Sequence, residues 1–161
     1  MPDVDPLTEA ARQRIGRMAR LFERLLTQVA AANELTAGDW AALSALQRTG
    51  APHEASPTAL SQQLGITSGT MSVRLNRLSR AGLIESVAAA DGRSKPVRLT
   101  PHGQERWRAA TQARTRQEQQ LFTEALSVEE LNELNVLLSR LLGRLEDEFG
   151  TASRHDVPKD A

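Results

Sequence analysis

The residues best suited to bind a partner lie on a predicted helix over residues 67–80. Its apolar side chains Met71, Leu75 and Leu78 fall on one side, because successive helical residues turn by about 100°. The far side carries Gly69, Thr70, Val73, Asn76, Arg77 and Arg80. The candidate DNA contacts of this helix are Ser68, Gly69, Thr70, Ser72, Val73, Asn76 and Arg77. This surface favours a helix that enters the major groove of duplex DNA, and the alternative is an ordinary solvated helix face.

Individual residues of this outer side suit a DNA groove. Small hydroxyl residues near the helix N-terminus allow close approach, and the helix N–H groups there can meet phosphate. Val73 could contact a thymine methyl group, and Arg77 could reach a guanine or a phosphate. Gly69 in the first turn costs about 1 kcal/mol of helix propensity, which close approach to a partner would explain.

A second candidate contact lies between two short apolar segments over residues 83–87 and 97–99. Asp-Gly between such segments predicts a β-hairpin, although this loop is longer than two residues. Basic residues at a hairpin tip are placed to reach a minor groove, and Asp91 could hold Arg93 by a charge-assisted hydrogen bond. The candidate DNA contacts of this wing are Asp91, Arg93, Ser94 and Lys95, although Asp91-Gly92 also serves the turn itself.

The charge distribution supports a DNA partner although the formal net charge of the 161 residues is zero. Residues 67–116 contain ten Lys/Arg and three Asp/Glu, a balance of +7. Residues 1–66 have a balance of −1, from six basic and seven acidic residues, and residues 117–161 have −6, from four and ten. A basic middle segment between neutral and acidic flanks is typical of a DNA-binding lobe, or of a solvated helix face.

Capping residues followed by helical periodicity predict the elements that position these surfaces. A long amphipathic helix covers residues 7–34, and residues 50–55 form a loop. Further helices open at Thr36, Ser56, Thr67, Thr100 and Ser127. The short helix that opens at Ser56 stops at Gly65, so it and the helix after Thr67 form a helix-turn-helix. The predicted fold is mainly α with a small β-wing, a winged helix-turn-helix with N- and C-terminal dimerisation helices.

Apolar stripes on the terminal helices predict a homodimer. Leu131, Leu134, Leu138, Leu141 and Leu145 repeat at steps of three and four, and this stripe is wider than a small winged domain can cover. Twofold packing would set two recognition helices about 34 Å apart, one DNA turn. The predicted domains are a dimerisation helix (1–35), a DNA-binding lobe (36–100), C-terminal dimerisation helices (101–150) and a disordered tail (151–161).

The segment from Asp91 to Gly103, DGRSKPVRLTPHG, resembles the wing signature of MarR-type transcriptional regulators. The preceding segment from Arg77 to Glu85, RLSRAGLIE, is similar to the end of their recognition helix. The resemblance implies an obligate dimer that binds a palindromic operator, with one recognition helix in each half-site. It assigns Arg93 to the minor groove, Asp91 to orienting Arg93, and residues 68–77 to base and phosphate contacts.

Relatives of this kind often bind an effector between the dimerisation helices and the DNA-binding lobe, which implies a ligand-responsive repressor. Trp40 and Arg74 resemble the urate-responsive branch, whereas position 41 is Ala and the first helix contains no Trp, unlike that branch. These differences disfavour urate as the ligand. The arginines of the first helix, near the junction with the lobe, favour a small anionic or aromatic effector, with Trp40, Arg20 and Arg74 as its candidate pocket. A core position is the simpler interpretation of Trp40.

Other classes of protein are disfavoured. The absence of cysteine excludes disulfides and thiolate metal sites, and His53, His102 and His155 are scattered, so we expect no enzyme, metal or cofactor. Two Trp, three Phe and no Tyr are too few to stack single-stranded nucleic acid. Without a signal peptide or an apolar span the protein is predicted to be cytoplasmic and free of membrane. The main alternative is a winged-helix protein-interaction module without DNA binding.

Overall fold

The computed structural model describes residues 5–88 and 95–151, and this part of the chain forms six helices and three short strands. The helices are α1 (Pro6–Ala32), α2 (Ala37–Arg48), α3 (Pro57–Leu64), α4 (Ser68–Arg80), α5 (Pro101–Ala125) and α6 (Val128–Phe149). The strands are β1 (Glu54–Ala55), β2 (Ile84–Ser86) and β3 (Val97–Leu99). The predicted fold class, mainly α with a small β-wing, is confirmed.

The helices begin at the predicted capping residues. Thr36 and Ser127 form reciprocal capping boxes with Asp39 and Glu130, which satisfy backbone N–H groups that have no partner inside the helix. Single hydroxyl caps open α3, α4 and α5, at Ser56, Thr67 and Thr100. The cap of α1 was not predicted: the Thr8 N–H donates to Asp5 Oδ2 over 2.8 Å, and Pro6 is the first helical residue.

The sheet is antiparallel in the order β1-β3-β2, and it includes a strand that the sequence did not predict. Ile84 lies opposite Leu99 and Ser86 opposite Val97, which forms the base of the predicted hairpin. The prediction of a loop throughout residues 50–55 is wrong at its end, where Glu54 and Ala55 form β1 and pair with β3. The Glu54 carboxylate also forms an ion pair with Arg98, its partner in the register. A two-residue strand is too short to show a period of two.

The core lies where α2, α3 and α4 meet the sheet. Its largest fully buried side chains are Leu43, Leu46, Leu60, Met71 and Leu78. The predicted inner stripe of α4 is thus confirmed, since Leu75 is buried beside Met71 and Leu78. Burial of this stripe leaves the opposite side of α4 facing outwards.

Glycine at position 103 allows α5 to start against the end of the hairpin. A Cβ built on Gly103 would lie 1.9 Å from the carbonyl oxygen of Leu83. That oxygen also accepts a hydrogen bond from the Thr100 N–H over 3.1 Å. The backbones of α5 and of the segment leading into β2 therefore touch at a point where no side chain fits.

Two tryptophans join α2 to α5 through reciprocal hydrogen bonds. The Trp40 indole N–H on α2 donates to Thr111 Oγ1 on α5 over 3.0 Å. The Trp107 indole N–H on α5 donates to Ser44 Oγ on α2 over 2.9 Å. The Arg114 guanidinium lies 5.0 Å above the Trp40 ring, within the range of a cation–π contact. These contacts tie the long helix α5 to the centre of the winged lobe.

The outer helices expose apolar side chains in a single chain. α6 has no buried residue, and its exposed large apolar residues are Val128, Val136, Leu137, Leu138, Leu141, Leu142, Leu145 and Phe149. On α1, Ile15, Met18 and Leu21 are exposed as well, while Phe22 stacks on Phe122 of α5 with ring centres 5.9 Å apart. No helix of the described ranges combines the length and apolarity that a membrane crossing requires.

Candidate nucleic-acid interface

The outer side of α4 forms an open surface of small and polar residues. Thr67 begins the helix by accepting the Thr70 N–H over 3.2 Å, and the preceding turn relies on Gly65, whose φ of 61° is left-handed. All seven predicted residues of α4 are exposed: Ser68, Gly69, Thr70, Ser72, Val73, Asn76 and Arg77. Val73 is 68% exposed, so its apolar side chain is available for contact with a partner.

Open space surrounds the first turn of this surface. A Cβ built on Gly69 would meet no atom within 4 Å, so packing inside the chain does not require glycine at this position. The helix sequence from 68 to 80 also contains Arg74, Arg77 and Arg80 and no acidic residue. α4 thus presents a flat first turn, an exposed apolar contact and positive charge, a combination suited to an anionic grooved partner.

The Arg77 side chain is bound to the start of α2 and does not extend freely into solvent. Its Nε–H donates to Asp39 Oδ1 over 3.1 Å, its Nη2 also donates to that oxygen, and Nη2 donates to Thr36 Oγ1 over 3.0 Å. The Asp39 side chain is 5% exposed and that of Arg77 50% exposed. Asp39 also caps α2, and nothing local in the sequence indicated its ion pair with Arg77 across 38 positions.

Arg74 lies one helical turn before Arg77 and also faces the start of α2. Its guanidinium covers Gly38, where an added Cβ would be 2.4 Å from Nη2. Burial lowers the pKa of Arg74, the nearby Asp39 carboxylate opposes this, and the like charge of Arg77 adds to it. The guanidinium remains charged at neutral pH, so two arginines of α4 approach one buried carboxylate of α2.

The predicted wing is only partly within the described residues. Asp91, Arg93 and Ser94 lie outside them, so their predicted roles stay predictions. Lys95 is described and exposed at the base of the hairpin. A groove of about 300 Å³ between α4 and the hairpin is lined by Ser72, Asn76 and Lys95, among others. The structure therefore brings two predicted residues of α4 and one of the wing to a common surface.

The three residues predicted for an effector pocket are not seen around one cavity. Trp40 is buried, with Thr111 and Arg114 as its partners. Arg20 lies on the exposed basic side of α1, in a groove lined by α1 residues alone, and neither Trp40 nor Arg74 lines it. The simpler interpretation of Trp40, a core residue, agrees with its burial.

The described residues offer no evident metal centre. Within residues 5–88 and 95–151, no group of three His, Asp or Glu side chains is arranged to hold a metal ion. His53 lies in the turn before β1 and His102 in the first turn of α5, on different elements.

Comparison with protein families places the same segment in a known group. The model described as "MarR family" matches residues 33–94, which extend from the end of α1 through the helix-turn-helix into the hairpin. Among curated proteins, the chain is similar to the HTH-type transcriptional regulator PecS of Dickeya dadantii (strain 3937). The two are 29% identical over 141 residues, which cover 87% of this chain and 84% of that protein.

Solved structures agree on the fold. Wild-type MarR from E. coli in its apo form superposes with a TM-score of 0.73 at 23% identity, covering 87% of this chain and 98% of that one. A mutant MarR from E. coli complexed with operator DNA superposes with a TM-score of 0.65 at 22% identity, covering 86% and 99%. At these identities the superpositions show a shared winged-helix architecture.

Proposed function

We propose that this chain, whose residues 33–94 match the MarR family model, is a transcriptional regulator of that family and binds duplex DNA. The observation that supports this most directly is the exposed outer side of α4, which has small residues, an exposed Val73 and no acidic group. PecS is a transcriptional regulator by name, and the mutant MarR was crystallised with operator DNA. We propose the same kind of partner for this chain.

We further propose that the regulator acts as a homodimer on a palindromic operator. The support is the apolar surface of α6, where Leu138, Leu141 and Leu145 are exposed although they share one side of the helix. A twofold axis through such a surface buries each stripe against its copy and repeats α4 on two half-sites. In this proposal residues 36–100 contact DNA and residues 1–35 and 101–150 hold the dimer.

Salt dependence of binding tests this function. We expect Arg93→Ala to weaken binding to a 30-base-pair duplex selected from a random pool with the wild-type protein. Each protomer then loses one positive charge near the phosphates, which should reduce the slope of log affinity against log salt by about 0.9 per protomer. Fluorescence anisotropy between 50 and 300 mM salt, roughly the range where such slopes are resolved, measures it.

Arg140→Ala is the matched control. Arg140 is exposed on α6 and lies outside residues 36–100, which are proposed to contact DNA. It removes the same charge and should leave the slope unchanged. If no duplex is selected from the pool, the interaction-module alternative gains support over DNA binding. If both variants bind the selected duplex like the wild type, Arg93 is not a DNA contact.

Gly69→Ala should change stability and DNA affinity in opposite directions. Alanine is favoured over glycine in a helix by up to ~1 kcal/mol, and the added methyl has open space in the free protein. We expect the Tm to rise by roughly 2–4 °C. Affinity for the selected duplex should fall by about ten-fold, because the methyl occupies the gap between the first turn and the DNA.

Gly143→Ala, in open space on α6, is the control for both readouts. It should gain similar stability without any loss of affinity. Unchanged DNA affinity of Gly69→Ala would show that the first turn of α4 does not approach the DNA closely. A response to a small anionic or aromatic effector, and repression rather than activation, stay predictions from the family resemblance.

A further inference from the structure

Asp39 places a buried negative charge between α2 and the recognition helix α4. The residue is 3% exposed, and both of its carboxylate oxygens accept hydrogen bonds. Oδ2 accepts from the Thr36 N–H over 2.9 Å and from the Thr36 hydroxyl over 2.8 Å, while Oδ1 accepts from Arg77. The same side chain therefore caps α2 and holds α4.

The Arg77 contact restrains α4 by more than its charge. The guanidinium meets the start of α2 through Nε and Nη2, on two acceptors, Asp39 Oδ1 and Thr36 Oγ1. A planar guanidinium that donates from Nε and Nη2 to two acceptors is restrained in both distance and orientation. Removal of Arg77 would destabilise the folded protein, because the desolvated Asp39 carboxylate would then be unpaired.

The buried carboxylate also competes with DNA for the Arg77 charge. Arg77 lies about 40° around α4 from the exposed Val73, so it starts from the DNA-facing side of the helix. Its side chain nevertheless turns back to α2. In contact with Asp39 it forms one neutral pair, which leaves the half-buried Arg74 as the surplus positive charge at this junction.

We infer that Asp39 is a positioning residue for DNA recognition: through Arg77 it sets the orientation of α4, and it withholds the Arg77 charge from the DNA phosphates. Arg77 then stays on Asp39 in the DNA complex and contributes to sequence discrimination without a phosphate contact of its own. This inference rests on the proposed function, and it reassigns Arg77 from the direct DNA contact that its sequence position suggested.

The test compares two single variants and their combination on two probes. The probes are the duplex selected with the wild-type protein and a mixed-sequence duplex of equal length, both titrated by anisotropy at several salt concentrations. Arg77→Gln should lower affinity for the selected duplex by about ten-fold, with a salt slope equal to that of the wild type. If Arg77 contacted a phosphate directly, its loss would instead reduce the slope by about 0.9 per protomer, about 1.8 for the proposed dimer.

Asp39→Asn should behave differently, because it releases the arginine. Arg77 becomes free to reach a phosphate, so the slope should steepen by about 0.9 per protomer, about 1.8 for the proposed dimer. Binding to the mixed-sequence duplex should strengthen and the preference for the selected duplex should fall. The combination Asp39→Asn/Arg77→Gln removes both charges and permits an amide hydrogen bond, so its slope should return to the wild-type value.

The outcomes separate this inference from the proposed function. If the wild-type protein selects no duplex, the proposed function fails. If it selects one and Arg77→Gln reduces the slope by about 0.9 per protomer, or Asp39→Asn changes neither slope nor preference, the inference alone fails. If Arg77→Gln does not fold, Arg77→Lys replaces it, because lysine keeps the charge. This variant should retain the wild-type slope but show a reduced preference for the selected duplex over the mixed-sequence duplex. A full wild-type preference would overturn the inference.

Discussion

Leu138→Glu is expected to convert the proposed dimer into monomers and to abolish operator binding at nanomolar protein. Leu138 lies in the middle of the α6 stripe and is 40% exposed in a single chain. The twofold axis introduces the substitution twice, and each buried, unpaired carboxylate costs several kcal/mol. Sedimentation velocity should show a single species of half the wild-type mass.

The loss of DNA binding follows from the loss of linkage between half-sites. Two recognition helices held on one scaffold gain roughly 10²–10⁴ in affinity over separate ones, because the second contact becomes intramolecular. The monomer should therefore bind the selected duplex at least about 100-fold more weakly. Its far-ultraviolet circular dichroism should remain helical, since α6 contributes no buried residue to the core of its own chain.

Val136→Glu is a matched control for this experiment. Val136 is 59% exposed and lies about 160° around α6 from Leu138, on the opposite side of the helix. The same new charge there should leave both mass and DNA binding unchanged. Dimers that persist in Leu138→Glu, with normal binding, would contradict α6 as the dimer interface.

Gly103→Ala is expected to have the largest effect on stability. Its methyl group would lie 1.9 Å from the Leu83 carbonyl oxygen, a backbone atom that cannot rotate away. α5 or the chain before β2 must therefore move by more than an ångström, and overpacking of this kind costs about 3 kcal/mol or more. We expect a Tm lower by roughly 6–12 °C, measured by circular dichroism.

The opposite result is expected for glycine in open space. Gly143→Ala adds the same methyl group in the middle of α6, where no atom lies within 4 Å. It should be neutral or stabilising by up to ~1 kcal/mol. A Gly103→Ala protein as stable as this control would show that the start of α5 adjusts to a side chain at little cost.

The sequence predicted best what is decided locally. Thr36, Ser56, Thr67, Thr100 and Ser127 begin helices because a hydroxyl satisfies N–H groups two or three residues ahead, so the signal and its effect are adjacent in the chain. The buried stripe of α4 follows from helical periodicity within one segment. Both kinds of pattern can be recognised without knowledge of the tertiary structure.

Interactions between distant segments could not be predicted in the same way. β1 exists because Glu54 and Ala55 pair with β3, more than 40 residues later, and two residues show no alternation. The ion pair of Asp39 with Arg77 depends on how α4 crosses α2, which periodicity does not determine. The residue types on the outer side of α4 were therefore predictable, whereas the partners that restrain them were not.

The tryptophan pair gives this protein an internal fluorophore at a single location. The sequence has two tryptophans and no tyrosine, and both indoles lie between α2 and α5, each hydrogen-bonded to the opposite helix. Near-ultraviolet emission will therefore originate from this one seam, with the Arg114 cation beside one of its two emitters. A change in how α5 packs on α2 should therefore shift the emission maximum or the emission intensity of the unlabelled protein, so conformational changes at this contact can be followed in solution without an added dye.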